Sequence, residues 1–423
     1  MYIYMERGIS LKKNKVAIIG GGPAGAMAAI HLAKTKDFDI TIFDNKSLLS
    51  TLLPTGGGRC NLTYYEYDNI EFVKNYPRGS KFLLSALSKF NATDTMGFFN
   101  ELGIDVFVQD DNRIFPCSES SKEVAKTLQM HLKENNVKHC KEQVIEIQHK
   151  KDNYNVISAA SSNKFDIVII STGGKGNGHQ IAKKLNHSIT PLTPSLTGLK
   201  ILEKEFHQLS GISLEKIEIE AIFKKKKVAE AYGDILFTHN SISGPGIFKI
   251  SALCAYLNYS LIEPLTIKIK LTNLEKNEII SFIQENIKKT PKKNLKNVFS
   301  QLIPKRLCET ILNNKKIPLE KEITHINKNE IETITKALTE LELTVFDKCR
   351  GEEIVTAGGV NLNELNPQTM ESKICPNLYF CGEIIDIDGF TGGFNLQNCW
   401  TTAFICAEGI KKNAISGALS NNK

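Results

Sequence analysis

The chain has ten cysteines but no Cys-x-x-Cys pair. That absence speaks against a thioredoxin-type dithiol, a zinc ribbon and a cysteine-ligated iron–sulfur cluster, and no metal is expected. So many unpaired thiols suit a reducing cytoplasm. Internal repeats and low-complexity segments are also missing. Residues 16–33 carry no charge and follow "KKNK", yet three adjacent glycines and Pro23 interrupt any signal peptide or membrane helix there. No membrane partner is expected, and residues 1–13 read as a loose leader. Dense charge is scarce. The one run, Lys224–Lys227 in "IEIEAIFKKKKVAEAY", reads as a hairpin tip of solvated lysines. The rest of the +7 net charge is scattered, with no aromatic-interleaved basic face, so nucleic acid is not the expected partner.

At 423 residues the chain exceeds the size of one growing core, so several domains are expected. A hydrophobic content of 41% and a charged content of 23% fit an ordinary globular protein. "KVAIIGGG", "PAGAMAAIHLAKT" and "FDITIFDN" read as strand, helix and strand, the minimal half of a doubly wound sheet. Helices are predicted over residues 80–102 and 119–135, a hairpin over "VIEIQHKKDNYNVISAA", and a buried strand at "KFDIVIISTGG". Composition then shifts to short alternating strands from Pro191 to about Leu271, and to Lys-rich helices from Asn273 to about Leu341. Strands return with "EEIVTAGGVNL" and "NLYFCGEI", and a closing helix is predicted from about Gln397 to Ile410. The expected domains are a nucleotide-binding part over 14–190 closed by 355–423, a β-rich insert over 191–272 and 342–354, and a helical subdomain over 273–341.

Gly20, Gly22 and Gly25 form G-x-G-x-x-G between a strand and a helix, with Asp44 nineteen positions after Gly25. Gly20 allows the tight turn, Gly22 lets a pyrophosphate approach the backbone, and Gly25 permits close helix–sheet contact. The helix start supplies amide donors, and Asp44 accepts from an adenosine ribose. FAD and NAD both satisfy this pattern. Thr172, Gly173 and Gly174 close a buried strand, and Gly382 and Glu383 end another. "GFTGGFNLQNCWTTAFICAEGI" then gives a glycine loop leading into a helix, whose N-terminus suits the charge of a reduced flavin. A second glycine run, "PTGGGRCNLT", offers a backbone free of side chains beside Arg59, Cys60 and Asn61. No second G-x-G-x-x-G is present, so any NAD(P)H is expected to enter transiently at the flavin face.

These blocks together resemble the BaiN/YhiN-like flavoproteins, the aminoacetone oxidase-like FAD-binding enzymes, over nearly the whole chain. The resemblance rests on "AIIGGGPAG", "GGGRCNLT", "RIFPCSESSKEVAKTL", "HNSISGPGIFKIS", "TAGGVNL" and "YFCGEIIDIDGFTGGFNLQNCWTTA". It implies an α/β fold: a split Rossmann-like FAD-binding domain with an inserted β-barrel and a small helical domain. It implies a cofactor site of Gly20, Gly22, Pro23, Ala24, Gly25, Asp44, Asn45, Gly57, Gly58, Arg59, Cys60, Asn61, Val144, Thr172 and Gly173, completed by Gly382, Glu383, Gly393, Phe394, Asn395 and Gln397. This chain departs from the resemblance after "TGG", where "STGGKGNGHQIAKKLNHSI" lacks a longer glycine-rich insertion.

Cys60 reads either as a redox thiol or as a small packing residue beside the flavin. His239, Asn240 and Ser243 in "HNSISGPG" read either as pocket residues, with His239 a candidate acid–base group, or as turn formers. Three functions fit. The first is an FAD-dependent oxidoreductase reduced by NAD(P)H that passes hydride to an unsaturated small molecule. The second is an FAD oxidase acting on a small amine with O₂. The third is a flavoprotein that binds tRNA or another macromolecule, the helical insert and the lysines forming the contact surface. The first is the expected one.

Overall fold

The computed structural model describes residues 13–151 and 153–420, with side chains of 416–420 left aside. The expected leader over 1–13 therefore lies outside the described residues, apart from Lys13. The chain divides into two compact units. One is made of residues 1–192 and 357–423, the other of residues 193–356.

The first unit is built on a five-stranded parallel sheet. Strand β1 (Asn14–Ile19) is flanked by β2 (Phe38–Phe43) and, beyond it, β3 (Lys138–Cys140). On its other side lie β4 (Ile167–Ile170) and then β5 (Leu378–Phe380). The inner strands read as unbroken apolar runs because both faces are covered: Val16–Ile18 and Val168–Ile170 are fully buried. Helix α1 (Pro23–Ala33) starts with proline at its first turn, where the missing N–H costs nothing. It is buried along its whole length, so its alanines do not form a stripe. Its partner is α2 (Phe394–Ser420), which starts three residues before the predicted Gln397 and runs ten beyond Ile410. Gly393, at φ 99°, is the last residue of the loop, and helical geometry begins directly after it.

Between these elements, Ser80–Leu87 and Ala92–Glu101 form two helices where one stretch was predicted. Asn91 caps the second with a reciprocal capping box to Asp94. Ser121–Glu134 is a helix with Ser120 accepting from Glu123 N. Residues Val144–Lys150, Asn153–Ser158 and Ser162–Phe165 make an antiparallel three-stranded sheet.

The second unit holds a closed six-stranded barrel made of Leu199–Ile201, Ser213–Phe223, Lys226–Phe237, Ser241–Ser243, Leu265–Lys270 and Leu341–Lys348. Its apolar core continues into the helices Lys276–Lys289, Leu295–Phe299, Lys305–Asn314 and Lys328–Thr339. The lysine run is a hairpin turn. Lys224 and Lys225 take left-handed φ of 51° and 62° between the paired Phe223 and Lys226, a geometry matching a two-residue primed turn. Lys224 pairs with Glu263 at 3.1 Å, and Lys227 with Glu230 at 2.7 Å and Glu220 at 3.2 Å. Among the described residues no helix is long and apolar enough to cross a membrane.

Candidate functional site

Three glycine-bearing loops and one strand end meet at the carboxyl edge of the parallel sheet. The first is the β1–α1 turn. Gly20 has φ 106°, and a Cβ there would stand 2.6 Å from Ser171 O; one at Gly25 would stand 2.0 Å from Gly20 O. Sheet and helix thus touch backbone to backbone, and Ser171 Oγ donates to Gly20 O at 2.9 Å. A Cβ at Gly22 would meet only Thr51 Oγ1, at 3.2 Å, so the helix start is open to a ligand. Pro23 and Ala24 form the first turn that faces it. Asp44 is already engaged by backbone. Its Oδ2 accepts from Gly21 N and its Oδ1 from Lys46 N, both at 2.8 Å, so the acid also braces the turn. Asn45 beside it is exposed.

The second loop is "TGGGRCN". Gly56, Gly57 and Gly58 have φ of 57°, 68° and 88°, and Cys60 follows at 65°. At Gly56 a Cβ would collide with Asn61 N at 2.7 Å, whereas at Gly57 and Gly58 there is nothing within 4 Å. The run thus combines left-handed backbone with open space above it. Arg59 turns away from that space. Its guanidinium lies 4.1 Å from the Phe115 ring centroid and bonds Glu119 at 2.8 Å and Gln109 at 3.2 Å. Cys60 is fully buried, and burial pushes its thiol up to about 12 against a weaker opposing bond from Thr55. A thiol held protonated is a poor nucleophile, and its place in the core is that of a packing residue. Asn61, in the amide orientation that satisfies both ends, donates to Thr63 O and Ile114 O and accepts from Gly393 N.

The third loop follows β5. Gly382, at φ 77°, would bring a Cβ within 2.7 Å of Ala24 Cβ, so this loop presses on the start of α1. Gly393 would bring one within 2.5 Å of Thr63 O. Asn395 closes the loop by accepting from Gly389 N and donating to Gly389 O, each at 2.9 Å. The Phe394 ring packs on Tyr64, Phe72 and Tyr76, and Tyr76 donates to Phe394 O at 2.6 Å. Gln397 is spent internally: its amide accepts from Thr95 Oγ1 and donates to Thr401 Oγ1, both at 2.9 Å. Its side chain is fully buried between these two partners.

Charge gathers in this loop. The Glu383 side chain has no hydrogen bond or ion pair among the described residues. Burial, then the Asp388 carboxylate, push its carboxyl up to about 7, with Lys175 opposing. Asp386 is also raised, chiefly by burial; a bond from Thr190 works against that, and one Asp386 oxygen is buried without a partner. Asp388 is fully buried and held by Arg78, whose Nε and Nη2 donate to its two oxygens. Sequence reasoning missed this pair. The only signals were the turn in "YPRGS" and the acid pair in "DIDG". Gly79 in that turn has φ 75°, and a Cβ there would strike Ile387 Cγ1 at 2.4 Å.

At the end of β4, Thr172 Oγ1 is buried and unpartnered, and Gly173 takes φ 69° with open space where a Cβ would be. Val144 O accepts from Asn177 Nδ2 at 2.7 Å. Of the other candidates, His239 and Asn240 are exposed at a tight turn in the second unit, closed by Thr238 N donating to Ser241 O at 2.9 Å, and Ser243 ends the next strand. That is turn geometry.

An open helix start, a braced acid at the end of β2, two unpartnered polar groups and three glycine loops make up a dinucleotide cradle. The class is a Rossmann-type flavoprotein with FAD as cofactor, an FAD-dependent oxidoreductase. The chain belongs to the family described as the HI0933-like protein Rossmann domain, whose profile matches residues 14–409. It is 28% identical over 409 residues to a 3-dehydro-bile acid Δ(4,6)-reductase of Clostridium scindens, covering 93% of this chain and 98% of that one. It is 29% identical over 413 residues to a ribosomal RNA dihydrouridine synthase of Haemophilus influenzae, with the same coverage. In fold it resembles a 3-ketosteroid Δ1-dehydrogenase from Sterolibacterium denitrificans, with a TM-score of 0.50 and 11% identity over 95% of this chain and 100% of that one.

Proposed function

We propose that this protein reduces a carbon–carbon double bond conjugated to a carbonyl, drawing electrons from NAD(P)H that binds transiently. The observation that carries this reading is the pairing of one dinucleotide-type site with a buried thiol in the second glycine loop. Cys60, the cysteine of the second glycine loop, is buried and held as a thiol. The names of two end-to-end relatives support it, since both describe saturation of such a bond.

On this reading the start of α1, with Gly20, Gly22, Pro23, Ala24 and Gly25, holds the pyrophosphate by backbone N–H groups. Asp44 keeps free lone pairs for a ribose while bracing Gly21. Thr172 and Glu383 meet hydroxyls of the cofactor chain, which would satisfy the two groups now without partners. Gly57, Gly58 and Gly173 leave room for a planar ring system. FAD, when bound, supplies hydride transfer between the nicotinamide and the substrate. Arg59, Asn61, Asn395 and Gln397 act by fixing loops, not by touching the ring.

Two acceptors carry the required bond: a small conjugated enone and the uracil ring of an RNA. The test is anaerobic mixing of the FAD-loaded protein with NADH or NADPH, followed by an enone or a uridine-containing RNA. Bleaching of the flavin band by the nicotinamide and its recovery on adding either acceptor is the expected result. Recovery with O₂ alone, with neither acceptor active, would move the protein to the oxidases.

A further inference from the structure

Residues 286–316 hold nine lysines and arginines against a single acid, Glu309, a net of +8. The whole chain carries +7, so the remaining residues sum to −1. No run longer than two lysines marks this segment, and its bias is visible only when the helices it forms are taken together. We infer that this helical face of the second unit is an RNA-docking surface.

The segment folds as the end of the helix Lys276–Lys289, a loop, the short helix Leu295–Phe299 and the helix Lys305–Asn314. These pieces are tied to one another and to residues 319–324. Leu295 N donates to Lys321 O, Ile323 N to Lys293 O, and Thr324 N to Pro291 O. Lys296 pairs with Glu320, and the charge of Lys305 is also felt there, so the loop and the start of the third helix lie together. Lys289 pairs with Glu285, and Arg306 donates to Gln208 O. The side chains of Lys288, Lys292, Lys293, Lys305, Lys315 and Lys316 have neither an ion pair nor a hydrogen bond among the described residues. Lys288, Lys292, Lys305, Lys315 and Lys316 are exposed, and Lys293 is half-buried.

Six cations without an ion pair, set against Glu320 beside Lys305, repel one another on one folded subdomain and are relieved by a polyanion, which releases counterions on binding. The barrel tip is different: two of its four lysines are already paired with glutamates. Exposed asparagines Asn297 and Asn313 lie among the lysines and offer both donors and acceptors, as recognition of sugar hydroxyls and unpaired bases requires. The inference rests on the RNA branch of the proposed function and names the residues that would present such a substrate.

The experiment is fluorescence anisotropy of a labelled RNA hairpin titrated with the FAD-loaded protein at several salt concentrations. Neutralising about four phosphates gives a slope of log affinity on log salt of roughly −3 to −4. The variant K292E/K293E/K305E is expected to lose about tenfold or more in affinity at about 100 mM salt and to flatten that slope. K225E/K226E, at the barrel tip, is expected to match the unaltered protein. Flavin content and melting temperature verify that each variant is folded. No RNA binding by the unaltered protein, equal binding by the triple variant, or equal displacement of the RNA by duplex DNA each overturns the inference. Reduction of a small enone without RNA binding would sink this surface alone. RNA binding without any double-bond reduction would keep the surface and sink the proposed chemistry.

Discussion

The Asn61 side chain ties the second glycine loop to the start of the closing helix: its amide oxygen accepts from Gly393 N at 3.1 Å. The two residues are far apart in the chain, and Trp400 repeats the tie one helical step on by donating to Leu62 O at 2.9 Å. A loop rich in left-handed glycines has high entropy when free. Fixing its end at two points is what lets Gly57 and Gly58 remain open without the loop collapsing into the cradle.

Asp44→Ala is expected to weaken FAD retention about ten- to a hundredfold. Loss of a charged acceptor costs about 1.5–3 kcal/mol, and here Gly21 N and Lys46 N lose their acceptor at the same time. Asp44→Asn, which keeps one acceptor oxygen, is expected to recover part of the loss. Flavin fluorescence during titration of the apoprotein measures both, and unchanged affinity in Asp44→Ala would remove the acid from the site.

Cys60→Ser is expected to keep FAD and to reduce its flavin within about an order of magnitude of the unaltered rate, since a thiol held up to about 12 is protonated at working pH. In the native protein iodoacetamide is expected to modify the exposed Cys117 and spare Cys60. Peptide mass mapping reads this directly, and abolished turnover in a serine variant with FAD still bound would make Cys60 a catalytic thiol.

Arg78→Met is expected to destabilise the protein by about 3–5 kcal/mol, because it removes one side of a buried ion pair. Arg78→Met with Asp388→Leu is expected to be less destabilised than the single variant. Denaturant midpoints of the two single variants and the double variant decide the point; a loss in the double variant equal to the sum of the two single losses would mean that the pair is not coupled.

Glu383 sets a pH dependence of stability. Its folded carboxyl is raised from an ordinary value of 4.5 to about 7, so between those values the folded chain keeps a proton that the unfolded chain releases. Stability of the apoprotein is therefore expected to fall as pH rises from about 4.5 to about 7 and to level off above. Asp386 adds to the same trend. Glu383→Gln is expected to flatten the slope, and melting temperatures across that range, for both proteins, check it.

What could be read from the chain divides by the distance over which a residue acts. Gly25 against Gly20 O and Asp44 on Gly21 N satisfy needs set within one strand–turn–helix–strand unit, so their spacing is legible by itself. Gln397 was assigned to the cofactor because it stands in a glycine-rich loop motif, but its partner Thr95 is 302 residues away. Arg78 and Asp388 are separated by 310 residues, and neither local segment reveals the other. The early start of α2 had a local cause after all, the left-handed Gly393, which was read as part of a loop motif and not as a helix boundary. The helical segment is legible as lysine-rich, but its charges are spaced along several elements, so that no window of a few residues shows the net of +8 over 286–316.

The division of the first unit has a consequence for how the protein is made. Strand β5 pairs with β4, yet 207 residues separate Ile170 from Leu378, and the whole second unit lies between them. A ribosome adding about 5–20 residues per second releases the barrel and its helices as a contiguous piece well before β5 and α2 emerge. The nascent sheet must wait with one edge open, and that edge is the one beside which the cradle later closes. Closure of the cradle thus waits for the last part of the chain to be made, and a chain stalled before Leu378 would lack the strand and the helix that complete it.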